Sequence, residues 1–200
     1  RWKPIFNEEA IRIDSNSAKG IEKAFFTEQF RRVDYSQIGE IHETLHEQEC
    51  HEYKAAIEQT IDHSIIKCGN FRVAVDLMHG STAEIFPNIL NDLGVENIAL
   101  NAYHDGTKLS NITALEKRCE ANISTIVKSL EYDMGVMIYP NAQRLSIVTD
   151  EGEILDKIKG LLIVLNLLNM DASKEKKKVF LPTWAPDIVK FENLEIKRGK

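Results

Sequence analysis

Cysteine is scarce in this chain of 200 residues. The three present, Cys50, Cys68 and Cys119, cannot all pair within one molecule, and none stands in a C-x-x-C spacing. They read as small buried or half-buried side chains of a reducing compartment, not as a disulfide framework. An excess of positive charge is also missing: 25 Lys and Arg against 31 Asp and Glu leave a formal net charge of -6. A general nucleic-acid binder needs a basic face, so no nucleic-acid partner is expected. The one dense basic run, Lys174 to Lys178 with Glu175 inside it, reads as a solvated linker. Long apolar runs are absent. The longest, Leu161 to Leu168, is interrupted by Asn166 and is far too short to cross a bilayer. No charged-then-apolar leader opens the chain, so no secretory signal is expected and a cytoplasmic location follows. Without export, Asn111-Ile-Thr113 and Asn122-Ile-Ser124 carry no meaning as glycosylation sites. The G-x-x-x-x-G-K-[ST], G-x-G-x-x-G and G-x-S-x-G patterns do not occur.

What is present is an ordinary globular composition, 43% apolar and 28% charged. Arg1 to Asp14 is a β-like piece anchored by Ile5, Phe6, Ile11 and Ile13. Ala18 to Val33 reads as a short helix ending near Phe30. Asp34 to His46 is a connector. In Glu47 to Cys68 the residues Cys50, Tyr53, Ile57, Ile61, Ile65 and Cys68 recur at steps of three or four, which predicts one helix with one apolar stripe, stopped by a left-handed Gly69.

From Phe71 the pattern alternates. Phe71 to Asp76, Asn97 to Asn101 and Met134 to Ile138 read as strands, with helices over Ala83 to Leu93 and from Thr113 to about Leu130. Leu115, Ile123, Ile126, Val127 and Leu130 are expected to face inward. Short loops in a strand-helix alternation imply a parallel sheet with right-handed crossovers. Leu145 to Thr149 follows the third strand after only six residues, too few for a crossover, so it should return antiparallel. The predicted class is α/β: a mixed sheet of three parallel strands plus one antiparallel strand, with helices on both faces. Ile154 to Asn169 reads as a helix apolar on most faces and therefore well buried. Val179 to Leu181 begins a further β run.

Phe71-Arg-Val-Ala-Val-Asp76 followed by Met78-His-Gly-Ser81 resembles the opening strand and glycine turn of the second domain of phosphohexomutases, the phosphomannomutase/phosphoglucomutase family. Asp133-Met-Gly-Val-Met-Ile138 resembles the strand leading into that family's metal loop, and Tyr139-Pro-Asn-Ala-Gln-Arg-Leu145 falls in register with its D-G-D-x-D-R-L. Val148-Thr-Asp-Glu-Gly152 resembles the hairpin that follows. Ile21-Glu-Lys-Ala-Phe-Phe-Thr-Glu-Gln-Phe-Arg-Arg32 resembles the junction in proteins that fuse a mannose-1-phosphate guanylyltransferase-type nucleotidyltransferase to a phosphomannomutase-like region. The resemblance implies that 1–33 is the tail of a preceding domain, 34–46 a connector, 47–170 the domain II-like unit, and 171–200 a linker with the start of a following domain. The chain is then expected to be a piece of a longer protein whose other domains are its partners. A homo-oligomer is a further expected possibility. Limited proteolysis is expected to cut near Asp34 to His46 and near Ser173 to Lys178 before the core.

The family resemblance also implies a chemistry. Its mutases move a phosphoryl group between two positions of a hexose, with a phosphoserine of another domain as the donor and Mg²⁺ held by the three aspartates of the loop. Here those positions are Tyr139, Asn141 and Gln143, with Pro140 in place of the glycine. Three negative charges have become none, and Mg²⁺ favours anionic oxygens, so no metal and no cofactor are expected. Arg144 is retained, to hold a phosphate oxygen or to pair with a carboxylate at the loop base. His104-Asp105-Gly106-Thr107 matches a D-G pair often found in the family, although Asp-Gly marks a turn anywhere. His79, Asp105 and Tyr139 should share the rim at the carboxyl ends of the strands, where ligands gather in open α/β sheets. No nucleophile-base-acid set is visible, so no catalytic residue is assigned. The weak substrate-binding candidates are Arg144, Asp105, Gly106 and His79. His42, His46, Cys50 and His51 are a rival zinc cluster, disfavoured because no fourth ligand is spaced to close the site and because Glu43, Glu47 and Glu49 are interleaved. Phe25, Phe26 and Phe30 read as an interdomain clasp. Two functions remain: a middle domain of a working hexose-phosphate mutase, or a structural, regulatory or sugar-phosphate-binding module beside a nucleotidyltransferase.

Overall fold

A computed structural model describes residues 5–9, 11–29, 32–40, 44–170, 177–185 and 191–199, the side chains of 44–46 excepted. The chain divides into two compact units, 1–46 and 47–200. In the first, Phe6 and Arg12 form an antiparallel bridge, and the side chain of Asn7 accepts the N–H groups of Glu9 and Ile11 at 3.1 and 2.9 Å. Helix α1 (Ser15–Phe26) follows. It begins earlier than the apolar pattern predicts because Asp14 caps it, accepting the N–H of Asn16 at 2.8 Å and of Ser17 at 3.1 Å. It also ends earlier, where Glu28 turns left-handed at φ 50°. Phe25 and Phe26 meet edge to face at 5.6 Å and both are exposed. Phe30, the third member of the expected clasp, lies outside the described residues. Residues 32–40 are exposed throughout, so cleavage by limited proteolysis is expected there before the sheet is cut; clipping inside the sheet first would overturn this. The second expected cut, at 173–178, lies mostly outside the described residues.

The expected single helix over Glu47 to Cys68 is two: α2 (Thr44–Glu58) and α3 (His63–Cys68). The break has a local cause. The Asp62 carboxylate starts a new helix by accepting the Ser64 N–H at 3.0 Å, while the Thr60 hydroxyl bonds back to the Ile57 carbonyl at 2.7 Å. The break resets the helical phase, so Ile61 and Ile66 join Ile57 in packing toward the sheet while Ile65 and Cys68 are exposed; Tyr53, one turn before Ile57 in α2, is exposed as well. Gly69 keeps φ -75°, and the left-handed residue is Asn70 at φ 46°.

Next come β1 (Arg72–Asp76), α4 (Phe86–Asp92), β2 (Glu96–Leu100), α5 (Ile112–Ser129), β3 (Met134–Ile138) and β4 (Leu145–Thr149). The sheet order is β2-β1-β3-β4, with β1 parallel to β2 and β3, and β3 antiparallel to β4. This is the expected mixed sheet of three parallel strands and one antiparallel. Central β1 is buried from Val73 to Asp76. Its alternation sends Val73 and Val75 toward Ile89 of α4 and the α2–α3 isoleucines, and Ala74 toward α5. Helix α5 presents Leu115, Cys119, Ile123 and Val127 at steps of four, all buried, while Leu130 is exposed. Burying each of the three aliphatic side chains contributes about 1.5–3 kcal/mol. Gly135 lets α5 lie close to β3: a Cβ there would stand 2.8 Å from Val127 Cγ2 and 3.0 Å from Val148 Cβ.

The last helix, α6 (Lys157–Met170), corrects an expectation. It starts at Lys157 because Asp156 accepts the N–H groups of Ile158 and Lys159 at 2.8 and 2.9 Å. Of its residues only Leu165 is buried, while Ile163, Val164, Leu167 and Met170 are exposed. One side packs against Leu181 and Leu194 of β5 (Lys177–Pro182) and β6 (Leu194–Gly199). β5 pairs in parallel with β6 over its whole length.

Candidate functional site

Because β1, β2 and β3 run parallel, the turns that leave their carboxyl ends lie on one rim, and hydrogen bonds tie those turns together. After β1 the chain places Met78 and His79 in succession at φ 46° and 56°. Two non-glycine residues in this region carry strain on the order of 1 kcal/mol or more each, so surrounding bonds must hold them. The Met78 N–H reaches Asp76 Oδ1 at 2.9 Å, the His79 N–H reaches the Asn101 carbonyl at 3.1 Å, and the Gly80 N–H reaches the Leu77 carbonyl at 2.8 Å. Both the N–H and the hydroxyl of Ser81 donate to the Pro140 carbonyl, at 3.1 and 3.3 Å. All four backbone donors of 78–81 are thereby used inside the protein, and none is left as a cradle for an anion. Gly80 allows the contact with the next loop: a Cβ would fall 2.4 Å from Pro140 Cα.

Beneath the rim sits a buried clasp. The Asp76 carboxyl group, fully buried, accepts both oxygens' worth of bonding from the Asn101 amide, at 3.0 and 2.9 Å. The same amide lies 3.5 Å from the Cys119 sulfur. The Cys119 thiol is pushed up to about 12, first by burial and then by neighbouring Asp76. A thiol reagent is therefore expected to label exposed Cys68 under native conditions and to leave Cys119 unmodified until denaturant is added. Native labelling of Cys119 would contradict this burial. With the unfolded thiol near its ordinary 9.0, the unfolded state loses its proton first, so this group's contribution to stability declines as pH rises from 9.0 toward 12.

The loop after β3 closes on itself. The Tyr139 N–H donates to the Arg144 carbonyl at 3.0 Å, and the Ala142 N–H to the Tyr139 carbonyl at 2.8 Å, with Ala142 left-handed at φ 56°. Asn141 and Gln143 bond to each other twice: the Asn141 amide to Gln143 Oε1, and the Gln143 N–H to Asn141 Oδ1, each at 3.2 Å. Tyr139 is buried, and its hydroxyl donates to Glu116 of α5. Burial first, then that bond, raises its phenol above the usual range. The Arg144 guanidinium lies over the Tyr139 ring at 3.7 Å, with its nearest nitrogen 3.6 Å from Glu116 Oε1.

Of the sequence candidates, His79 and Tyr139 are brought together through the backbone contacts of Gly80 and Ser81 with Pro140. His79 is 2% exposed, meets Tyr103 edge to face at 4.5 Å, and leaves Nδ1 without a hydrogen-bond partner among the described residues. Asp105 is used locally. Its carboxylate accepts the Thr107 hydroxyl at 2.6 Å and the Thr107 N–H at 2.9 Å, and these bonds hold its pKa below the ordinary value. Gly106 has open space around it. The pair therefore has the geometry of an Asx turn. His42 and the side chain of His46 lie outside the described residues, and no group of three or more metal-ligating side chains occurs among the described ones. Glu116, Asn101 and Tyr103 escaped sequence reading: Glu116 stands 23 residues from Tyr139, and no local pattern links them.

The alpha/beta/alpha domain II of phosphoglucomutase/phosphomannomutase matches residues 51–152. The chain belongs to the phosphoglucomutase/phosphomannomutase family. Among its relatives, a phosphoglucomutase/phosphomannomutase of Thermococcus kodakarensis is 28% identical over 72% of this chain and 31% of its own length. A phosphoglucosamine mutase of Caldicellulosiruptor saccharolyticus is 23% identical over 80% of this chain and 35% of its own length. A crystal structure of a phosphoglucomutase/phosphomannomutase family protein from Burkholderia thailandensis has a TM-score of 0.61 at 15% identity, covering 94% of this chain and 39% of that one; this likeness bears on the fold alone. This phosphohexomutase-family chain spans about a third of the length of the relatives it matches. No helix among the described residues is long and apolar enough to cross a membrane.

Proposed function

We propose that this region is a domain II-like module of a phosphomannomutase/phosphoglucomutase-related protein of nucleotide-sugar metabolism whose metal loop has lost its cation, leaving a structural or regulatory part that binds a sugar phosphate. The observation that carries the reading is the bonding inside 139–144. Mg²⁺ keeps its water shell unless anionic oxygens replace it, and the residues of this loop do not fit that ion. The Asn141 and Gln143 oxygens are committed to each other's N–H groups, the Tyr139 phenol is held protonated, and Glu116 already faces the Arg144 cation. No phosphoryl-transfer step is therefore assigned to the isolated loop.

The resemblance of Ile21 to Arg32 to a nucleotidyltransferase junction supports a mannose-1-phosphate guanylyltransferase-related parent, located in the cytoplasm, whose other domains are this module's partners. The reading frame upstream of Arg1 tests that part directly. The names of the relatives support a second reading, the middle domain of an active hexose-phosphate mutase, which a mutase assay of the longer protein distinguishes.

The metal reading is tested by titrating the 200-residue chain with Mg²⁺ or Mn²⁺ while following the amides of 139–144 by NMR. No saturable shift is expected below millimolar metal. A second protein with Tyr139→Asp, Pro140→Gly, Asn141→Asp and Gln143→Asp is expected to gain binding, because three carboxylates on one turn restore the oxygen set. Saturable shifts of Asn141 and Gln143 in the unaltered chain at sub-millimolar metal would sink the proposal.

A further inference from the structure

Arg144 is prepared for an anion and at the same time held back. Its guanidinium is stacked on the Tyr139 ring at 3.7 Å, which fixes the plane of the fork. The side chain is 63% exposed, and the nearest Glu116 oxygen, at 3.6 Å, lies beyond hydrogen-bond distance. Glu116 is 28% exposed and is anchored independently, because Oε1 also accepts the Tyr139 hydroxyl. The carboxylate is therefore not free to leave when Arg144 turns to a ligand. The two charges cancel in the resting loop, and an arriving phosphate dianion meets a cation accompanied by a fixed anion.

We propose that Glu116 is a built-in competitor that sets the affinity of the Arg144 site for phosphate monoesters. This rests on the sugar-phosphate reading above and adds the residue that regulates that site. Glu116→Gln removes the opposing charge, while its amide oxygen still accepts the Tyr139 hydroxyl and so keeps the ring platform in place. The site then changes from neutral to positive. A dianion roughly 6 Å from a carboxylate in water-like surroundings feels a repulsion whose removal tightens binding by about tenfold. The gain should shrink with added salt, as a Coulombic effect between exposed groups must.

The test is calorimetric titration of the 200-residue chain with glucose 1-phosphate, with inorganic phosphate, and with glucose as the neutral control. Expected are weak binding by the unaltered chain, loss of binding with Arg144→Gln, about tenfold tighter binding with Glu116→Gln, and little change with Glu116→Asp. Equal gains for both phosphates place recognition on the phosphate alone, and a gain confined to glucose 1-phosphate adds the sugar; either outcome supports the inference. Arg144-dependent binding that is unchanged or weaker in Glu116→Gln overturns it and leaves the sugar-phosphate reading standing. Binding that ignores Arg144→Gln, or no binding in any variant, overturns both. Should Glu116→Gln fail to fold, as judged by circular dichroism, Tyr139→Phe takes its place. That change releases Glu116 toward Arg144, so weaker binding is expected, and unchanged or tighter binding refutes the inference.

Discussion

Gly80→Ala is expected to destabilise the chain by about 3 kcal/mol, the upper end of what overpacking costs, and to lower its Tm by roughly 10 °C. The added methyl group would stand 2.4 Å from Pro140 Cα, 2.8 Å from its carbonyl oxygen and 3.0 Å from its carbonyl carbon. All three are backbone atoms, so no side-chain rotation relieves the clash. The turn and the loop must move apart, and the two bonds from Ser81 to the Pro140 carbonyl span the gap that opens. The change should therefore also appear as shifted amide resonances in 139–144, far along the sequence from position 80. Gly106→Ala is the control. No atom lies within 4 Å of a Cβ there, and reduced freedom of the unfolded chain is expected to leave stability equal or about 0.5 kcal/mol higher. Equal Tm values for the two variants would show that the rim is not packed through Gly80.

The parts of the fold that sequence reading recovered are those where periodicity and loop length act alone. Six residues between β3 and β4 allow a return but no crossover, and the strand returns antiparallel. Phe71 to Asp76 reads as a strand ending in a polar residue, and in the sheet its Val73 to Asp76 is the buried part of the central strand β1. Reading failed where a single capping carboxylate overrides an apolar stripe. Asp62 restarts a helix that the isoleucine spacing had run through, and Asp14 starts α1 before its first apolar residue. It failed differently at α6, whose composition implies burial on most sides although Leu165 alone of its residues is buried. At the candidate site, the motif register located Tyr139, Asn141, Gln143 and Arg144. The partner that organises two of them, Glu116, sits on a helix and is brought near by the crossover, a relation that exists only in three dimensions.

Asp76→Ala is expected to cost about 3–4 kcal/mol, because it strands two donors in the interior, each worth roughly 1–3 kcal/mol when left unpaired. The Asn101 amide loses both of its carboxyl oxygens, and the Met78 N–H loses the acceptor that holds a left-handed residue in place. Asp76→Asn is the informative contrast. Its remaining oxygen still accepts the Met78 N–H, and a flipped Asn101 amide accepts from the new amide, so one good pair replaces two contacts at a cost of about 1–2 kcal/mol. In a double-mutant cycle, Asp76→Ala and Asn101→Ala should couple by at least about 1 kcal/mol, since the two groups touch. The readout is the midpoint of urea unfolding followed by circular dichroism. Because Met78 leads into His79 and Gly80, the same variant should loosen the Gly80 to Pro140 contact and reproduce the amide shifts of Gly80→Ala. Asp76→Ala with an unchanged midpoint, or with additive effects in the cycle, would mean that the buried carboxyl group is a bystander and that the turn after β1 is held by Gly80 and Asn101 alone.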